Sequence, residues 1–199
     1  MPNFPSKRDE TKSVTNIDFG QSDLSLVLKN RSYKEIYDEL LKCQAYNFKM
    51  IDGALIQLMY RFQKGCLQSH RLAFFPSPYL EEFQNNPEIY EADEIYADII
   101  KKNIVPFPVR FDYSCKEGVV KEIEHPQSHL TLGQYHNCRI PVSAPLTPYI
   151  FISFILRNFY NTAFKKYSNK INKFDALFKE TIPTSERLLT HVQLPLKIV

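Results

Sequence analysis

Val109-Arg110-Phe111-Asp112-Tyr113-Ser114 alternates apolar and polar residues without a break, and its reading decides the fold. Successive side chains of an extended strand leave opposite faces. Val109, Phe111 and Tyr113 therefore share one face, and Arg110, Asp112 and Ser114 share the other. A strand divided in this way belongs to an antiparallel sheet with a core on one side and a polar surface on the other. The split recurs downstream, where His129 and Thr131 alternate with Ser128, Leu130 and Leu132, and Asn137 and Arg139 alternate with Cys138, Ile140 and Val142.

The same period extends upstream. Tyr46, Phe48 and Met50 alternate up to the Asp52-Gly53 turn signal, and Ala54, Ile56, Leu58, Tyr60 and Phe62 alternate after it. Gln63 to Cys66 turns the chain into a strand from Ser69 to Phe75, which Pro76 and Pro78 end. Val119 to Ile123 reads as the return arm of a hairpin around Lys116-Glu117-Gly118. Helical spacing instead marks Tyr33, Ile36, Tyr37, Leu40 and Leu41 behind Ser32 as an N-cap. Residues 79–103 are expected to be mostly helical. Thr147-Pro148 opens a helix expected to run to about Ser168, with a short one over Lys173 to Lys179 and a docked apolar tail from Val192. The resulting fold class is α+β, a largely antiparallel sheet of five to seven strands packed against helices on one face. Residues 1–22 lack apolar periodicity and are expected to form a flexible arm or a loosely docked strand, leaving 23–199 as one domain.

A chain of 199 residues that is 44% hydrophobic can bury a sizeable core. Its formal charge of +3 is too small to prove nucleic-acid binding, which needs clustered basic residues. Cys43, Cys66, Cys115 and Cys138 are widely spaced and no apolar leader precedes them, so the expectation is a cytoplasmic protein with reduced thiols. Tyr149 to Tyr160 is too short to span a bilayer, and no membrane contact is expected.

The polar sheet face is where chemistry would sit. Arg110, Asp112, His129, Thr131 and Arg139 combine guanidinium groups that hold phosphate, a carboxylate and an imidazole. His125 stands four residues before His129, and His136 follows in the next turn; these histidines could be metal ligands, acid and base, or hydrogen-bonding struts. His70-Arg71 must send one of its two side chains inward. Arg157, on an otherwise apolar helix, either reaches the polar site or pairs with Asp112. The phosphate loop, the dinucleotide G-x-G-x-x-G, the G-x-S-x-G elbow and H-E-x-x-H are all absent from the sequence. A restriction-type nuclease core is also a poor match, since Asp112 is followed by Lys121-Glu122-Ile123-Glu124, the wrong order.

I-D-G-A-L-I-Q (51–57), H-R-L-A-F-F-P-S-P (70–78), R-F-D-Y (110–113), H-P-Q-S-H-L-T-L-G (125–133), C-R-I-P-V-S (138–143) and F-I-L-R-N-F-Y (154–160) together resemble an uncharacterised bacterial family, a domain of unknown function. The resemblance spans about Tyr46 to Tyr160 and implies no activity by itself. At Arg110 to Tyr113 and His125 to His129 the chain is also similar to small bacterial toxins. That likeness implies a toxin-antitoxin or phage-defence setting with RNA or DNA as substrate. The leading expectation is thus phosphodiester cleavage, with His129 and His125 as acid and base and Arg110, Arg139 and Arg157 on phosphate. Asp112 would orient a histidine or ligate a divalent metal. The rival is a non-catalytic binding subunit that contacts nucleic acid or a partner protein encoded nearby.

Overall fold

A computed structural model describes residues 6–9, 13–19, 31–50, 52–79, 106–135 and 137–197. The expected helical stretch over 80–103 and His136 lie outside them. The fold is α+β, built on an antiparallel sheet of eight strands. In chain order the strands are β1 (Ser6–Asp9), β2 (Val14–Ile17), β3 (Phe48–Lys49), β4 (Leu55–Gln63), β5 (Cys66–Phe75), β6 (Val109–Ser114), β7 (Ser128–Leu132) and β8 (Ile140–Pro141). They lie in the order β1-β2-β4-β5-β6-β7-β8, with β3 also on β4.

Of the two expectations for residues 1–22, a flexible arm or a docked strand, the described residues follow the second: β1 pairs with β2, and β2 extends the sheet by pairing Val14 to Ile17 with Gln63 to Tyr60 of β4. β2 and β3 share one edge of β4, and Asn47 fills the gap between them. Its Oδ1 accepts from Leu58 N at 2.6 Å and its Nδ2 donates to the Asp18 carbonyl at 3.1 Å. A wholly buried side chain thus replaces ladder bonds, and β3 stops at two residues.

Val119 to Ile123 is not a strand. Both edges of β6 are already occupied by β5 and β7, so the segment connects rather than pairs, apart from a Lys121–His125 bridge. β8 is only two residues long, and just past it Val142 N still donates to Ser128 O at 2.9 Å.

Helix α1 (Tyr33–Lys42) starts with a capping box between Ser32 and Glu35. Helix α2 (Pro148–Phe159) starts at the Thr147 cap, as its sequence predicts. The long helix expected to reach Ser168 breaks at Tyr160 (φ −135°, ψ 50°), where the hydroxyl reaches Asp52 Oδ2 at 2.7 Å, and resumes as α3 (Asn161–Tyr167). Residues 173–179 are not helical; most of them are exposed, and Phe178 packs against the core from a stretch without regular structure. A short α4 (Thr184–Arg187) follows, and the tail docks through Ser143 N to Val192 O (2.9 Å) and Leu194 N to Ser143 Oγ (2.9 Å).

Each face of the sheet carries a helix. On one, α2 covers Ile56, Leu58, Leu72, Phe74, Val109, Phe111 and Leu130, with Phe151 and Ile155 filling the layer. On the other, α1 covers only the end formed by Leu55, Ala73 and Phe75. Among the described residues the rest of that second face is mostly polar. Among the described residues no helix is long and apolar enough to cross a membrane.

Candidate phosphate-binding cleft

Register builds the site. Arg71 pairs with Asp112 across β5–β6, Asp112 with His129 across β6–β7, and Arg110 with Thr131 beside them. Paired residues of an antiparallel ladder share a face, so Arg71, Arg110, Asp112, His129 and Thr131 lie together on the side away from α2. Arg110, Asp112, His129 and Thr131 belong to the constellation that the sequence alternation predicts; Arg71 is added to it, and Arg139, its fifth expected member, stands at the rim. A cleft of about 620 Å³ opens over it, with Arg61 and Asn16 on one wall and Val119, His125 and Arg139 on the other.

Asp112 is the centre. Arg71 Nε donates to its Oδ1 at 3.0 Å, and Arg110 Nε donates to its Oδ2 at 2.5 Å. Burial works to raise this carboxyl, but Arg110, Arg71 and His129 outweigh it and hold Asp112 below the ordinary carboxylate range. It is therefore a carboxylate at neutral pH, and its two oxygens fix two guanidinium planes. Both arginines keep more than a third of their side-chain surface exposed, against 15% for Asp112.

His129 is 5% exposed. Its Nδ1 lies 2.9 Å from the Pro126 carbonyl, which can only accept, so Nδ1 carries the proton. Nε2 then faces Asp112 Oδ2 at 3.9 Å, too far for a hydrogen bond. Burial pushes the imidazole below its usual value against the pull of Asp112. His125 is half-buried at the cleft wall, and its ring meets that of His129 edge to face at 5.0 Å. Burial and then Arg139 keep it, too, below the usual imidazole range. Arg139 reaches the rim and donates from Nη1 to the Glu124 carbonyl at 3.3 Å.

Arg157 does not join the site. It is exposed on α2, across the sheet from Asp112, because the residues that bury that helix are Phe151 and Ile155 on its opposite stripe. His70 is the inward member of its pair. It is 4% exposed on the α2 face, between Tyr60 and Tyr113, and its Nε2 accepts from Leu146 N at 3.0 Å. Its neighbour Arg71 faces the cleft instead. The role of Arg71 follows from parity, since His70, Leu72 and Phe74 alternate on one face and Arg71 falls on the other. Arg61 shares that parity on β4. Among the described residues no group of three or more His, Cys, Asp and Glu side chains is placed to hold a metal ion.

A family described as an uncharacterized conserved protein (DUF2290) matches residues 1–194. The chain belongs to that family. DUF2290 extends well beyond the Tyr46 to Tyr160 stretch that carries the resemblance, and so takes in the β1–β2 hairpin at one end and α4 at the other. No curated protein and no solved structure matches the chain.

Proposed function

We propose that the cleft binds the phosphate of a nucleic acid and that the chain cleaves its phosphodiester bond by proton transfer at His125. The observation that carries this reading is the tethering of Arg71 and Arg110 by Nε to one shared carboxylate, that of Asp112, with Arg61 and Arg139 on the walls. Guanidinium planes fixed in advance meet a phosphate without reorganising, which is the condition for strong electrostatic stabilisation. His125 is neutral near pH 7 and reachable from the cleft, as a general base must be. It would take a proton from an attacking hydroxyl, of water or a ribose, and return it to the leaving oxygen as the phosphorus–oxygen bond breaks. His129, only 5% exposed on the floor of the cleft, acts by packing against His125. The likeness of Arg110–Tyr113 and His125–His129 to small bacterial toxins supports a toxin or phage-defence setting.

The burial of His129 also favours a second reading, because it leaves one reachable imidazole where a two-histidine mechanism uses two. In that reading the arginines recognise phosphate without catalysis, as part of a binding subunit.

Labelled RNA and DNA incubated with wild type, His125→Ala and Arg110→Ala, with and without divalent metal, separate the two. Cleavage by wild type, lost by about 10²–10⁴-fold in His125→Ala with binding retained, supports the enzyme. Binding by wild type that weakens in Arg110→Ala, without cleavage by any protein, supports the binding subunit. Neither binding nor cleavage would sink both.

A further inference from the structure

We infer that Glu186 is a positioning residue for His125, clamping the apex of a strained loop whose base carries that imidazole. The inference rests on the reading of His125 as the proton-transfer group. The loop is pinched where Lys121 and His125 exchange backbone hydrogen bonds, Lys121 N to His125 O at 3.0 Å and His125 N to Lys121 O at 2.6 Å. Its apex is Ile123, at φ +69°. That left-handed conformation is unfavourable for a β-branched residue and persists only where the surroundings impose it. Apolar burial does not impose it, because Ile123 is 54% exposed.

What holds the apex comes from far along the chain. Ile123 N donates to Glu186 Oε1 at 3.0 Å, and Glu186 is 2% exposed. On either side, Ser185 Oγ bonds the Glu122 carboxylate and Arg139 Nη1 bonds the Glu124 carbonyl. Three consecutive loop residues are thus gripped from outside. The clamp is itself fixed to the sheet, since Thr181 N and Ile182 N, just before α4, both donate to Ser143 O at 2.9 and 3.3 Å, close after β8. A rigid path therefore runs from the sheet through Ser143 and Glu186 to Ile123, two residues from His125. Strained backbone held by a buried acceptor beside a proton-transfer group is how a fold sets the aim of a side chain on a loop.

A merely structural Glu186 would satisfy one backbone N–H; a clamp opposes strain, and strain can be removed independently. Glycine adopts this φ without penalty. The full chain is therefore compared as wild type, Glu186→Ala, Glu186→Gln, Ile123→Gly and the Ile123→Gly/Glu186→Ala double variant. Two measurements are made, steady-state cleavage and NMR titration of the His125 ring. Glu186→Ala is expected to lower kcat about tenfold or more with KM within about twofold, and to move the His125 titration toward the ordinary imidazole value. Glu186→Gln, which keeps the Oε1 acceptor, stays near wild type in both. The double variant recovers most of both. Equal damage from Gln and Ala, no recovery in the double variant, or an unmoved His125 titration in Glu186→Ala would overturn the clamp. If wild type cleaves nothing, the catalytic reading falls and the His125 titration alone judges the clamp. Should Glu186→Ala not fold, the Gln variant decides: a wild-type titration supports the clamp, and a displaced one overturns it.

Discussion

On one side of β6, Phe111 is 1% exposed and meets Phe151 and Phe154 edge to face at 6.0 and 5.3 Å. On the other side its neighbour Asp112 takes the Nε atoms of Arg71 and Arg110 at 3.0 and 2.5 Å. The first face is specified by shape, the second by charge. Shape is enforced by the loss of dispersion contacts and the cavity that follows any deletion, so its residues act mainly on stability. Charge is enforced by mutual orientation, so its residues act mainly on what the cleft can hold.

The sharpest break between the faces is expected from Phe111→Ala. Removing a buried aromatic should destabilise the fold by about 3–5 kcal/mol, read by denaturant unfolding, while phosphate binding persists wherever the variant remains folded. A smaller loss than that from replacing Asp112 would mean the division of labour is misplaced.

Two histidines sharpen the same comparison, one on each face. His70 lies in the core, its Nδ1 without a hydrogen-bond partner, and burial pushes its pKa down to about 4 from 6.5. The unfolded chain therefore binds more protons than the folded one between those values, so stability falls as pH drops from 6.5 toward 4 and levels off below. The loss attributable to His70 is about 3 kcal/mol by the bottom of that window. His70→Gln, which can still accept from Leu146 N, should flatten most of the slope in thermal unfolding followed across that range. His129, shifted in the same direction but near Asp112, should contribute less, and a larger flattening from His129→Gln would contradict the assignment.

Much of this was legible from parity alone. The period-2 stretches around Phe111, Leu130 and Leu58 predicted the strands, the core face and the gathering of Arg110, Asp112 and His129, because alternation and register carry the same information. Parity also held the role of Arg71, but only once the neighbouring His70 was known to point inward. Where sequence fell short, a distant partner decided. β2 depends on the exposed edge of β4, the break at Tyr160 on Asp52 of a far turn, and the Ile123 conformation on Glu186, 63 residues away. Arg157 was misplaced because a stripe of three residues shows that a helix has faces, without showing which one meets the sheet.

The smallest effect on stability, and the most informative for the cleft, is expected from Asp112→Asn. One amide oxygen can accept from one guanidinium where the carboxylate served two, so about 1–3 kcal/mol should be lost, toward the lower end because both arginines are partly exposed. The same change makes the cleft one charge more positive, since the Asp112 carboxyl is held in its ionised form. Charge counting alone then predicts tighter binding of a phosphodiester and a steeper dependence of affinity on salt. Preorganisation predicts the reverse: Arg71 and Arg110 lose their fixed planes, and affinity falls several-fold although the attraction at long range has grown. Measuring the dissociation constant for a labelled oligonucleotide across a salt series distinguishes the two outcomes. Weaker binding at every salt concentration would establish Asp112 as the organiser of the arginines, whereas tighter binding would reduce it to a counter-charge that the ligand must displace.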